Sequence, residues 1–507
     1  MSGSANLQLA ANLPKWDKET DVVVIGYGYA GGASAIAAHD AGANVLILEK
    51  MQHPGGCSIL SYGGIASATN VEDAVKLLTR LSMGTVGPDV IQAFAQGLCE
   101  LPKYFEEILR NSGVKLRDPT SLRIYEELPG INCISALSVG DVPGFAGFPW
   151  LSEVGKRAGA RLMKVVMDNV DSRKIEVMLE TPARKLVTDC SGAVIGVIAE
   201  NTQRTFTIKA RRGVILACGG FEHNDWLKLQ YLDAQPFYSV APLGNTGDGI
   251  IMAQEVGAAL WHMWHVHGSY GFKFPEFPIA FRFSLYGSRQ ADQRVAWISV
   301  DRFGKRFMNE IPAAPQDMAH RPLHYYDADI QDYPRIPCYL IFDEAGRMLG
   351  PIAQPIFSNK EDEYEWSVDN SAEVKRGWIL KASTIRELAT KLKMEPAVLE
   401  DTVATWNMSC EKNDSQFHRP PGTMMPIKSS PFYAITAWPI ISNTQGGPQH
   451  NEKQQVIGAD RNPIPRLYAA GELGSFFGHL YILCGNIGEC FIGGRIAGRN
   501  AAAEKNW

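Results

Sequence analysis

The stretch DVVVIGYGYAGGASAIAAHDAGANVLILEK, residues 21–50, constrains the fold more than any other part of the chain. Asp21 to Ile25 is an apolar, β-branched run, the pattern of a strand buried in a parallel sheet. The chain then turns through Gly26, Gly28 and Gly31 into an alanine-rich helix and returns as a second strand, NVLILE. In a GxGxxG turn the first glycine permits the bend, the second lets backbone approach a pyrophosphate, and the third lets helix pack on strand. Phosphates held there face free N–H groups and the positive end of the helix. Glu49 closes the second strand, where an acid accepts hydrogen bonds from an adenosine ribose. An α/β, Rossmann-like dinucleotide site is the expectation.

At 507 residues the chain exceeds what one core supports, so two or three domains are expected. A net charge of −5 gives no broad basic surface and argues against nucleic acid as a partner. Nine cysteines are scattered without a CxxC pair or a spacing suited to zinc or an iron–sulfur cluster, so no metal is expected. They read as reduced thiols of a cytoplasmic protein. The first twenty residues lack the basic start and apolar run of a signal peptide. No stretch reaches the roughly 18–20 apolar residues that span a bilayer, so no membrane insertion is expected.

Three further segments bear on which dinucleotide is bound. HPGGCSILSYGGIASA (53–68) follows the second strand with paired glycines and small polar residues, a loop able to lie against a flat ring system. RRGVILACGGFEHN (211–224) is a strand ending at Gly219 and Gly220, and IPRLYAAGELGS (464–475) is a strand closed by Gly471 and Glu472. Glycine-marked strand ends spread over the whole chain suit a cofactor longer than NAD in an extended pose, namely FAD, with Glu472 bonded to its ribityl chain.

These segments carry a resemblance. Together with GNTGDGIIMAQEVGAAL (244–260), DRFGKRFMNE (301–310) and TQGGPQHNEKQQVI (444–457), the chain resembles the flavoproteins that unite soluble fumarate reductases, succinate dehydrogenase flavoprotein subunits and 3-ketosteroid dehydrogenases. The resemblance implies a glutathione-reductase-type FAD domain with an inserted α+β cap. Composition draws the boundaries at 1–272 and 439–507 for the FAD domain and 273–438 for the cap. The cofactor contacts so implied begin with Gly26, Gly28, Tyr29, Ala30 and Gly31, then Glu49 and Lys50. They continue with Gly55, Gly56, Cys57, Ser58, Ser61, Gly63 and Gly64, then Ala183, Ala217, Gly219 and Gly220. Asn245, Gly247 and Asp248 follow, then Gly471 and Glu472, and last Gly485, Asn486 and Ile487 where the terminal helix begins. No histidine occupies the GGCSILSYGG loop, so the FAD is expected to be non-covalent. The glycines Gly488, Gly493, Gly494 and Gly498 are expected to let the terminal helix press onto the cofactor.

The turn GHLYILCGNIG (478–488) precedes that helix. In fumarate reductases cations hold two carboxylates here, but the matching positions are Ile482, Asn443 and Ala314. In 3-ketosteroid dehydrogenases a tyrosine hydroxyl and, four residues on, a glycine N–H bind the substrate carbonyl, and Tyr481 and Gly485 have that spacing. The resemblance therefore implies α,β-dehydrogenation of a cyclic ketone such as a 3-ketosteroid, cyclohexanone or 4-oxocyclohexanecarboxylate, with hydride passing to the flavin. The alternative is an ene-reductase of an α,β-unsaturated carbonyl or carboxylate. A separate electron partner is implied: oxygen, quinone or an electron-transfer protein. The ketosteroid dehydrogenase base is a tyrosine at the position of Ala314, so the base must lie elsewhere. Tyr325, Tyr326, Tyr286, Tyr125, His265 and His267 are the candidates.

Overall fold

Val22, Val23 and Val24 have no exposed surface, because their strand, Lys18–Ile25, lies inside a sheet. It pairs in parallel with Val45–Leu48 on one side and Thr205–Leu216 on the other. Glu176–Met178 extends the sheet beyond Val45–Leu48, and Pro463–Ala469 adds in parallel beyond Thr205–Leu216. Gln455–Ile457 closes that edge, while Val194–Glu200 and Ala183–Thr188 append to Thr205–Leu216 as an antiparallel pair. The computed structural model describes residues 15–507 apart from 111, 122–127, 152–156, 285–293, 313–317, 356–361 and 483.

The fold is mixed α/β, and two compact units divide it. The first comprises Met1–Tyr231, Pro242–Val266 and Asn443–Trp507; the second comprises Leu232–Ala241 and His267–Ser442. The second unit holds a seven-stranded sheet in the order Phe281–Arg282, Val266–Phe272, Phe432–Thr444, Cys338–Asp343, Ile298–Val300, with two further strands on Phe432–Thr444. Leu232–Ala241, which composition assigned to the first part, joins the second because Tyr238 and Ser239 pair with Ile440 and Ile441. Among the described residues no helix is long and apolar enough to cross a membrane.

In the first unit the helix Tyr29–Asp40 packs against the terminal helix, Gly485–Ala503. A Cβ on Gly494 would lie 2.7 Å from the Ala30 carbonyl oxygen, and one on Gly498 would lie 2.3 Å from that of Ser34. Gly488 faces Ala66, and Gly493 faces Gln454. Two of the terminal helix's glycines thus pack against the first helix. The helix Pro88–Leu109 supports the turn before it, with Phe94 stacked on Phe476 at 4.5 Å.

Candidate active site

Gly26 has φ +101°, and a Cβ there would fall 2.4 Å from the Ala217 carbonyl oxygen. Only glycine fits. Gly31 is equally constrained, since its Cβ would sit 1.9 Å from the Gly26 carbonyl oxygen. Gly28 differs: its Cβ would meet the Ser58 hydroxyl at 3.0 Å and nothing else closer than 3.6 Å. Above it opens a cavity. Gly26, Gly28, Tyr29 and Ala30 line this end. The Tyr29 amide donates to Ser58 Oγ at 3.0 Å, while its phenol donates to the Gly159 carbonyl at 2.7 Å.

Glu49 also lines the cavity. Its two carboxylate oxygens each accept a main-chain N–H at 2.9 Å, from Tyr27 and from Met51. Burial raises its pKa, and those two bonds oppose the rise. Lys50 donates to Thr246 Oγ1 at 2.6 Å and to Asp248 at 2.8 Å, fixing two wall segments to each other. Gly55, Gly56, Cys57 and Ser58 form a further wall, with Ala183, Ala217, Gly219 and Asn245. Thr181, Ala470 and Cys490 line it as well and carry no signal in sequence.

Several expected contacts do not line the cavity. Gly31 lies beneath the first turn, and Gly63 packs against Ala158. Gly64 packs against Cys484, and Ser61 bonds back to the Ser58 carbonyl at 2.7 Å. Gly220 sits where a Cβ would strike Thr444 Oγ1 at 2.0 Å. Gly247 caps the helix Asp248–Glu255 in a left-handed conformation, and Gly471 packs on Ala30. These glycines allow close backbone approach within the protein, a need that sequence alone does not separate from approach to a ligand.

Deeper in the site are two acids. Glu472 lines the cavity, and Glu222, wholly buried, lies behind it. Both accept the Thr444 N–H, at 3.1 and 3.0 Å. Burial, and then the adjacent Glu222 charge, push the Glu472 pKa well up. Burial and both acids raise that of Cys57, so its thiol stays protonated. Glu222 was missed by sequence reasoning, although it directly follows the GGF of a glycine-marked strand end.

At the C-terminal turn, Tyr481 is 5% exposed, with its ring edge-on to Phe477 at 5.2 Å. Its hydroxyl oxygen lies 3.4 Å from the Asn486 nitrogen and accepts that N–H. Ile482 is buried beside it. Gly485 differs from expectation: Cys484 takes a left-handed conformation, φ +66°, and folds the Gly485 N–H onto the Ile482 carbonyl at 2.8 Å. That donor is spent within the turn.

Residues 21–487 match the family described as FAD binding domain. The chain belongs to this family of flavoproteins. Over 96% of its length it is 30% identical to the urocanate reductase of Eggerthella lenta, of which it covers 75%. It is 27% identical to the 3-oxosteroid 1-dehydrogenase of Mycolicibacterium smegmatis, covering 96% of this chain and 98% of that one. Its fold matches that of 3-ketosteroid Δ1-dehydrogenase from Sterolibacterium denitrificans with a TM-score of 0.79 at 22% identity, covering 96% of this chain and 100% of the other. The protein is an FAD-dependent oxidoreductase. The flavoprotein's own residues fit the cofactor: the cavity is glycine-walled at the phosphate-binding turn. Beside Glu472, Glu222 Oε2 is buried without a protein hydrogen-bond partner. A buried polar atom of that kind is costly unless a ligand satisfies it.

The expected bases fare unevenly. In the first unit His265 Nδ1 donates to the Phe477 carbonyl at 2.6 Å and His262 Nδ1 to that of Ser475 at 2.8 Å, so both anchor the 475–477 backbone. In the second unit His267 is buried in the strand Val266–Phe272. Tyr325 and Tyr326 are 48% and 50% exposed, the former under the Arg335 guanidinium. Tyr125, Tyr286 and Ala314 lie outside the described residues. In the same unit His320 Nδ1 lies 3.1 Å from His324 Nε2, whose Nδ1 lies 3.1 Å from Asp233.

Proposed function

We propose that the protein dehydrogenates a cyclic ketone across its α,β carbons. FAD, when bound, supplies the two-electron acceptor for the hydrogen that leaves the β-carbon. The supporting observation is the neutral turn: Tyr481 presents a buried phenol beside apolar Ile482, and position 443 carries an asparagine. A dicarboxylate bound there would lose charged hydrogen bonds worth roughly 1.5–3 kcal/mol each. A ketone asks only for a neutral donor where negative charge gathers on its oxygen as the α-proton leaves. Tyr481 fills that role. With the Gly485 amide turned inward, the carbonyl grip rests on the phenol.

The α-proton passes to a side-chain base.

FAD is proposed to be non-covalent, since residues 55–64 contain no histidine. Electrons then leave to a separate acceptor: oxygen, a quinone or an electron-transfer protein. Mixing the protein anaerobically with cyclohexanone, 4-oxocyclohexanecarboxylate and a 3-ketosteroid tests the reading. Bleaching of the flavin band by one of them, with formation of the matching enone, supports it; no bleaching by any cyclic ketone refutes it. The urocanate reductase relative favours a second reading, reduction of an α,β-unsaturated acid or carbonyl. Under it, the reduced protein is re-oxidised by enones or unsaturated acids, while saturated ketones leave the oxidised flavin unchanged.

A further inference from the structure

Glu222 and Glu472 present a problem that the reaction does not explain. Their Oε1 atoms converge on one donor, the Thr444 N–H. Glu222 Oε2 is buried without a hydrogen-bond donor. One oxygen of each acid and the Cys57 sulfur all lie within 4.8 Å of one another. Among the described residues neither acid is paired with a lysine, arginine or histidine. The other groups that face the pair are neutral: the Cys57 thiol on one side, the Cys490 thiol on the terminal helix, and the Asn443 amide, which bonds Glu472. Two ionised carboxylates this close, without a cation, repel strongly in a site shielded from water. Glu49, the cavity's other acid, is held separately by its two amides.

We propose that Glu222 and Glu472 share one proton, and that this proton is required for tight retention of FAD. Glu222 acts through Glu472 as a positioning residue. With the proton between them, the acids form an O–H···O bridge, and Glu472 keeps an oxygen toward the cavity as acceptor for a cofactor hydroxyl. When the proton is lost, repulsion drives the carboxylates apart and sets a second negative charge in a cavity that must hold an anionic dinucleotide. The inference uses the FAD site alone and is independent of the substrate.

The test is the dissociation constant of FAD, read by flavin fluorescence on dilution of the holoprotein between pH 6 and 9.5. The wild type is expected to hold a constant Kd at the acid end and then weaken tenfold per pH unit, the slope for one linked proton. Glu222→Gln keeps the size and supplies an N–H donor to Glu472, so its Kd should be pH-independent and within a few-fold of the wild-type value at neutral pH. Glu472→Gln should lose the slope too. Cys57→Ser should retain it. A flat wild-type curve overturns the proposal, as does a slope that survives both glutamine variants or vanishes in Cys57→Ser. Circular dichroism at each pH separates these outcomes from unfolding. A wild-type slope lost in the two glutamine variants would still support the shared proton in a protein that no ketone bleaches, so the two readings fail separately.

Discussion

The hydroxyl oxygen of Tyr481 lies 3.4 Å from the main-chain nitrogen of Asn486, at the first turn of the terminal helix. The phenol therefore accepts from the helix end, an arrangement that orients its own O–H bond. Tyr481→Phe keeps the ring in its edge-on place against Phe477, so FAD content and melting temperature should stay near wild type. Turnover of a ketone should fall by about 10²–10³, the cost of one donor aimed at a developing oxyanion. Rapid-mixing flavin bleaching measures it, and an unchanged rate would remove Tyr481 from the chemistry.

Two glycines of one motif should respond differently to the same methyl group. Gly31→Ala places a Cβ 1.9 Å from the Gly26 carbonyl oxygen, against backbone that cannot yield. Insoluble or unfolded protein is expected. Gly28 has φ −92°, open to any residue, and its Cβ would meet only a rotatable serine at 3.0 Å. Gly28→Ala should fold as apoprotein yet bind FAD at least about tenfold more weakly, roughly 1.4 kcal/mol, because the methyl enters the cavity wall. Equilibrium dialysis with FAD and thermal melting of the apoprotein check both halves.

How much of this was legible in sequence differs by residue. The strand–turn–helix–strand of 21–50 was readable because its alternatives are few: glycine spacing, β-branched runs and an acid at the strand end all point to one geometry. FAD followed from glycine-marked strand ends far apart in the chain. What sequence does not encode is which neighbour a glycine faces. Gly220, Gly471 and Gly498 look alike as letters, and only coordinates show them meeting Thr444, Ala30 and Ser34. The inward turn of the Gly485 amide was likewise hidden, since it depends on Cys484 adopting a left-handed conformation that a non-glycine residue seldom takes. Glu222 escaped for a related reason. The acid it faces lies far away along the chain, at 472.

Glu489 makes the stability of the protein depend on pH. Burial raises its pKa to about 8, against bonds from the Ser475 hydroxyl and the Phe476 N–H. The folded chain then holds a proton that the unfolded chain has already released above about pH 4.5. Its contribution is fully present below that point and is lost as pH rises toward 8, on the order of a few kcal/mol. Buried His450, held down to about 4, works oppositely and costs stability as pH falls below about 6.5. Glu489→Gln keeps an oxygen for the Phe476 N–H but has no proton to lose. Urea midpoints from pH 6.5 to 8 should decline more steeply in the wild type than in the variant; parallel curves would rule out Glu489 as the source.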